Sequence, residues 1–365
     1  MEKTTQDIHF RQNVRWIIGT LTLTILALAA FALPTIMVDP FFHYHGPLDG
    51  LSYPIDDERY QNDGILRHFS YDSIIIGSSM CENFKTSQAQ ELFGGAFVKI
   101  PISGCTYKEI DDNLRRAFSY GKEIKTIIYC LDYSRFNTVK DEMVDFPFPT
   151  YQYNQNPFDD VYYLLNKEVL LDKTRGVLKY TLEGNRTTGF DEYGSWANDF
   201  PLGAEYVLEG CGERIIGDLE VPMTELEREN LRQSIRQNVT ALAKEHPETD
   251  FYLFFPPYSI CYWEGMRSDG KIGWHVEGER IVMEEVFACP NIRLFSFSDE
   301  FELVENLDNY RDMVHYGQHI SDWILACMAS GEHELTKENC EEYLASIQEH
   351  YQNFDYSTIR NREGQ

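Results

Sequence analysis

The chain has 365 residues, enough for one large domain or two small ones, and with 43% hydrophobic residues it can bury a sizeable core. Its 59 acidic and 32 basic side chains give a formal net charge of −27. That excess repels nucleic-acid phosphates and offers an anionic membrane no basic patch, so neither nucleic-acid binding nor electrostatic docking on lipid is expected. The eight cysteines (Cys81, Cys105, Cys130, Cys211, Cys261, Cys289, Cys327 and Cys340) contain no C-x-x-C pair and no zinc-type spacing. Cys105, Cys130 and Cys327 lie in apolar segments and read as buried thiols that act as small hydrophobes.

Residues 16–38 carry no charge. As a helix this run reaches about 34 Å at about 1.5 Å per residue, enough to cross a bilayer. Lys3, Arg11 and Arg15 precede it and Asp39 follows it, so the positive-inside rule puts residues 1–15 in the cytoplasm and everything after Asp39 outside. Ala30-Phe31-Ala32 resembles a signal-cleavage site, but the apolar run is longer than a signal core, which favours a retained anchor. Residues 39–70 read as a juxtamembrane connector.

From residue 71 strands and helices alternate. Apolar runs at 73–76, 97–100 and 125–131 read as buried strands, with a helix over 109–120 between the last two. Residues 134–222, rich in Tyr, Phe, Asn, Gly and Asp, break the pattern and read as an insertion. The pattern resumes at Thr224, which forms a capping-box signature with Glu227; Leu226, Leu231, Ile235, Val239 and Leu242 mark the buried face of the helix that follows. Strands are expected at 251–255 and 292–297, and an amphipathic helix at 319–328. The domain closes near residue 335, and 336–365 reads as a charged tail, a surface helix that frays. This alternation predicts an α/β fold with a parallel sheet flanked by helices, whose chemistry belongs at the carboxyl ends of the strands.

Three segments at those ends could carry chemistry. Gly77-Ser78-Ser79-Met80 follows the first strand, where a tight strand-to-helix turn exposes a serine and aims backbone N–H groups at a developing oxyanion. Ser103-Gly104-Cys105 follows the second, and the Gly104 N–H could join that oxyanion site. Asp312-Met313-Val314-His315 follows the last: a serine needs a base, histidine titrates in the useful range, and a nearby carboxylate fixes its tautomer. Singly, each segment is an ordinary loop; together they occupy consistent places. Because neighbours at a strand end point opposite ways, Ser79 is expected within reach of His315 and Ser78 not.

In these three blocks the sequence resembles the SGNH (GDSL-type) hydrolase superfamily, from about residue 71 to 327 and leaving out the insertion. The resemblance implies a flavodoxin-like SGNH fold with one N-terminal transmembrane helix, catalytic Ser79, Asp312 and His315, an oxyanion donor at Gly104, and no cofactor. Ser78 stands where the family's first block has aspartate. After the third strand the family usually carries G-x-N-D, whose asparagine donates to the oxyanion. Here Cys130-Leu131-Asp132-Tyr133 stands instead, and an ionised Asp132 has no hydrogen to donate.

The anchored architecture is similar to the D-alanine transfer protein of teichoic acid synthesis and to the alginate O-acetylation proteins. That implies an extracytoplasmic esterase or O-acyltransferase working on a cell-envelope polysaccharide or acylated polymer beside a membrane-bound O-acyltransferase. The rival expectation is a non-catalytic scaffold or glycan-binding partner, which Asp132 favours. Tyr258, after the fourth strand, is expected to point towards the site. Tyr151, Tyr153, Tyr162, Tyr163 and Trp196 of the insertion are expected either to stack on sugar rings or to form a satellite core.

Overall fold

The computed structural model describes residues 2–144, 149–154, 156–212 and 214–360, with side-chain surroundings from residue 9 onward. Parts of the expected insertion (145–148, 155 and 213) and of the expected tail (361–365) lie outside the described residues, as does Met1. The chain forms two compact units: Met1–Ile55, Arg59–His68 and Pro147–Thr188 make one, and Asp56–Glu58, Phe69–Phe146 and Gly189–Gln365 the other.

The first unit begins with a helix over Glu2–Val38. Its stretch His9–Val38 has a mean hydropathy of 2.2 and is long and apolar enough to cross a membrane. Leu21, Leu23, Ile25 and Leu26 are more than half exposed, whereas Thr35 and Val38 are buried where the helix meets the rest of the unit. Asp39 ends the helix in the left-handed region at φ 48°. Its carboxylate accepts the backbone N–H groups of His43, Tyr44 and His45 and the hydroxyl of Tyr163. The first residues of the expected connector, 39–45, are therefore an ordered turn wound around one buried acid, and Glu58–His68 within it is a helix. Phe41, Tyr163 and Val169 form a small core, with Tyr44, Tyr60 and Tyr151 packed on it. Tyr153 is buried and donates to the Arg59 carbonyl. Tyr151, Tyr153 and Tyr163 thus serve packing, as the satellite-core expectation had it.

The second unit is built on a six-stranded sheet of order β2-β1-β3-β4-β5-β6. Its strands are β1 (Ser73–Gly77), β2 (Phe97–Pro101), β3 (Thr126–Cys130), β4 (Asp250–Phe255), β5 (Ile292–Ser296) and β6 (Glu334–Leu335). β1 to β5 are parallel and β6 is an antiparallel edge. All five expected strands are present within a residue or two, because runs such as Ile74-Ile75-Ile76, fully buried here, satisfy both a parallel sheet and its flanking layers.

The expected helix after β2 runs Tyr107–Ser119 behind a capping box of Thr106 and Glu109. Thr224 and Glu227 likewise cap Glu225–Ile235. Leu231, Ile235, Val239 and Leu242 are buried, but Leu226 is 71% exposed, a correction to the expected face. Leu226 falls in the first helical turn, before the helix reaches its packing partners. A π-helical turn over Arg236–Thr240 re-phases the later positions.

Two boundaries also differ from expectation. The insertion is divided between the units at Gly189, and its second part belongs to the sheet unit. The tail does not fray: Cys340–Asn353 is a helix with Tyr343, Leu344, Ile347 and Tyr351 buried. Tyr351 stacks on Trp263 with ring centroids 3.8 Å apart, and Arg360 pairs with buried Glu264. Aromatic knobs scattered among charges hid this packing face from a polarity reading.

Candidate active site

β1 ends at Gly77, where close approach requires glycine: a Cβ there would lie 2.7 Å from both Cys130 Cβ and Cys81 Sγ. The chain then enters a short 3-10 turn, Ser79–Cys81, capped by Ser78. This turn separates the two serines. Buried Ser78 donates its hydroxyl to Asp132 Oδ2 at 2.6 Å, and half-buried Ser79 places Oγ 2.7 Å from His315 Nε2. Lys99, fully buried on β2, braces the segment beyond the turn by donating to the carbonyls of Glu82, Phe84 and Asp191.

The histidine loop is wound around Asp312. Asp312 Oδ1 accepts the backbone N–H groups of Val314 and His315, each at 2.9 Å, and Oδ2 lies 2.8 Å from His315 Nδ1. An ionised carboxylate only accepts, so Nδ1 carries the hydrogen and Nε2 is left to accept from Ser79. Burial would raise the Asp312 pKa, but the His315 ring and the two backbone N–H groups outweigh it and hold the carboxyl at about 2. The loop is pinned on several sides. The backbones of Tyr310 and Tyr316 pair across its base. Ser259 donates its N–H and hydroxyl to the Met313 carbonyl. The Tyr316 hydroxyl reaches the Met80 carbonyl at 3.3 Å, tying the loop to the Ser79 turn.

Asp132 is a hub of another kind. Besides Ser78, it accepts the Tyr258 hydroxyl at 2.6 Å and the Ser134 N–H at 2.9 Å. Its carboxylate is engaged as an acceptor throughout, holding Ser78, Tyr258 and the Ser134 N–H, so Asp132 does not take the oxyanion role of the asparagine that the resemblance puts at this position. Tyr258 is buried, with its hydroxyl spent on Asp132 rather than offered to a ligand. Gly104 stands in the turn after β2 at φ 65°, and its carbonyl accepts from Arg135.

Sequence reasoning named Trp196 without placing it beside His315, and missed Asn83, Arg311 and Phe200. Trp196, from the second part of the insertion, sets its ring edge-on to His315 with centroids 5.9 Å apart. Its backbone N–H is held by Asn83 Oδ1. The Arg311 guanidinium lies 5.2 Å from the Trp196 ring centroid and 3.5 Å from that of Phe200. Arg311 adjoins the D-x-x-H block, which was a usable signal; Asn83 and Phe200 carried none. Close to the Gly104 turn, the Ser103 hydroxyl donates to Glu82 and its N–H to Glu58. Burial and the neighbouring Glu58 charge push the Glu82 carboxyl up to about 8.

Among the described residues, Cys211, Cys261 and Glu264 bring their ligand atoms within 4.8 Å of one another. Both Glu264 oxygens already accept from Arg360, which leaves two thiols where a structural zinc site takes four ligands. All eight cysteines are unbonded, and all but Cys340 are buried.

No protein-family model matches the chain, and no curated protein matches it. A solved structure from Streptococcus pneumonia, provisionally described as a platelet activating factor, is similar at 15% identity and a TM-score of 0.34, over 79% of this chain and 92% of that one.

Proposed function

We propose that this chain is a serine-dependent acyl-transfer enzyme, an esterase or O-acyltransferase of the SGNH kind with a flavodoxin-like sheet. The observation that supports it is the unbroken relay from Ser79 Oγ through His315 to Asp312, at 2.7 and 2.8 Å. Those distances suit proton removal from a hydroxyl by a histidine whose other nitrogen is held by a carboxylate.

In this reading His315 Nε2 takes the Ser79 proton as Oγ bonds to the acyl carbon. Asp312 stabilises the imidazolium. The Ser79 and Gly104 N–H groups receive the oxyanion, with no help from Asp132. His315 then returns the proton to the leaving oxygen, leaving an acyl-Ser79 ester. An acceptor hydroxyl, deprotonated by the same histidine, takes the acyl group: water makes the protein an esterase, a sugar hydroxyl makes it a transferase. The exposed apolar helix and its basic flank support an extracytoplasmic location, and hence an acylated cell-envelope glycan or polymer as substrate, worked on beside a membrane-bound O-acyltransferase.

The test is labelling of the full-length, detergent-solubilised protein with a fluorophosphonate. Ser79 is expected to be modified, and Ser79→Ala to lose the label while keeping its melting temperature. A folded wild-type protein that takes no label, and turns over no activated ester, overturns the enzyme reading in favour of a scaffold.

A further inference from the structure

The first unit carries an apolar stripe that its own core does not use. Between residues 157 and 165 the backbone winds in helical turns, with Tyr162 N–H bonded to the Asp159 carbonyl, Leu164 N–H to Asp160 and Leu165 N–H to Val161. One side of this segment faces protein: Tyr163 is fully buried against Phe41 and Val169. The other side presents Phe158 (88% exposed), Val161 (45%) and Tyr162 (66%), with Leu165 completing the i, i+3, i+4, i+7 spacing of a helical face. Both sides are therefore apolar, but among the described residues only one is buried; on the other, the Tyr162 ring lies 6.4 Å from that of Tyr151 and is still 66% exposed.

The position of Leu165 identifies the occupant of the other. It lines a groove of about 520 Å³ with Leu23, Thr24, Ala27, Leu28 and Phe31 of the long N-terminal helix. The helix residues of this groove run from Phe31 back to Leu23, seven to fifteen residues before Val38, about 10 to 22 Å along the helix at about 1.5 Å per residue. A segment packed there lies alongside the part of the helix that is long and apolar enough to cross a membrane. Its own acidic groups are engaged: Asp160 receives His43 and the Tyr44 hydroxyl, and Asp159 receives Asn154; Glu168, beyond the stripe, is exposed. Lys167, exposed just beyond the stripe, is long enough to reach headgroups.

We infer that residues 158–165 form an interfacial element that lies in the outer part of the bilayer beside the N-terminal helix, with Phe158, Val161 and Tyr162 in lipid. Aromatic side chains with one polar end, such as Tyr162, suit that depth. The inference rests on the N-terminal helix being the membrane span and is independent of the chemistry at Ser79.

The test uses the full chain, reconstituted into phosphatidylcholine vesicles whose acyl chains are brominated either near the headgroup, the depth expected for Tyr162, or near the bilayer centre, the depth expected for Leu26. Trp16→Phe removes the indole carried by the long N-terminal helix and serves as the parent. Adding Tyr162→Trp to it should give extra fluorescence, of which about half or more is quenched by brominated lipid. A Leu26→Trp variant of the same parent reports the span. Quenching at Leu26→Trp without quenching at Tyr162→Trp overturns the interfacial element and leaves the span standing. No quenching at either position overturns both. An unquenched indole at Tyr162→Trp that is also shielded from aqueous iodide shows a protein partner on this face, and equally overturns lipid as its occupant.

Discussion

Ser78 and Ser79 sit side by side and perform opposite tasks, because a single 3-10 turn sends one hydroxyl to a buried carboxylate and the other to an imidazole. Ser79→Ala is expected to bring ester turnover down to the uncatalysed floor, and His315→Ala to nearly the same floor, since members of such a relay act as a unit. Ser78→Ala should act on stability instead. It leaves Asp132 one hydrogen bond short in a buried site, at a cost of about 1.5–3 kcal/mol, and turnover should survive. Chemical denaturation run alongside an ester assay separates the two. Asp132→Asn decides what the acid is for. Were Asp132 only standing in for an asparagine donor, the amide would raise the rate; because its two oxygens hold Ser78, Tyr258 and the Ser134 N–H, the rate and the stability are both expected to fall. The acid behaviour of the relay has a definite sign. Asp312 is depressed to about 2, so its stabilising contribution is complete above the unfolded carboxylate value and is lost only as pH falls through about 2. Asp312 should therefore contribute nothing to the shape of a pH–rate profile measured above pH ~4.

At the scale of elements, strands and capped helices could be read before the fold was seen, and polar packing could not. Continuous Ile and Phe runs have few places to go other than a two-sided parallel sheet, and Thr106-x-x-Glu109 and Thr224-x-x-Glu227 announce their helices through local hydrogen bonds. The three chemical blocks were legible because each is short and follows a strand. The supports of those blocks were not, because they are contacts over long sequence separations between individually ordinary residues: Asn83 with Trp196, Lys99 with the carbonyls past Ser79, Tyr316 with Met80. The C-terminal helix was misread for the same reason, since a face made of Tyr343, Ile347 and Tyr351 among acids resembles a solvated helix until Trp263 is placed against it. Tyr351→Ala should consequently cost about 3–5 kcal/mol, a core-sized loss, measurable as a shifted denaturant midpoint. A fraying tail would register almost nothing. The turn beside Gly104 gives a second element-scale expectation. Glu82 is raised by burial and by Glu58, so the stability it contributes is whole below about 4.5 and is lost as pH rises through about 8. Glu82→Gln keeps an acceptor for the Ser103 hydroxyl but cannot ionise. Its melting temperature relative to wild type should therefore climb between about pH 5 and pH 9. A constant difference across that range would show that Glu82 titrates normally.

For the whole molecule, the question is which side of a membrane the sheet unit occupies, and the cysteines supply a built-in reporter. Seven of the eight are buried, while Cys340, at the start of the C-terminal helix, is partly exposed. An impermeant maleimide should accordingly react mainly at one native position while the fold is intact. The basic residues Lys3, Arg11 and Arg15 precede the uncharged run and no Lys or Arg follows it until Arg59, a bias that predicts a cytoplasmic N-terminus. The expected result on intact cells is modification of Cys340 without permeabilisation. In a Cys340→Ser background, Thr5→Cys should react only once the membrane is opened. The reversed pattern would place Ser79 and His315 in the cytoplasm and remove envelope polymers from the set of substrates. Loss of residues before about position 33 from the mature chain, seen by mass spectrometry of the membrane fraction, would mean that the apolar run is a cleaved signal. The unit built around Asp39 and Tyr163 would then lack the helix on which Leu165 packs, and Leu28 and Phe31, which line that groove, would have no role in the mature protein. Packing of a folded unit against the helix is what a retained span requires and a discarded leader does not, so the uncleaved, outward-facing arrangement is the expected one.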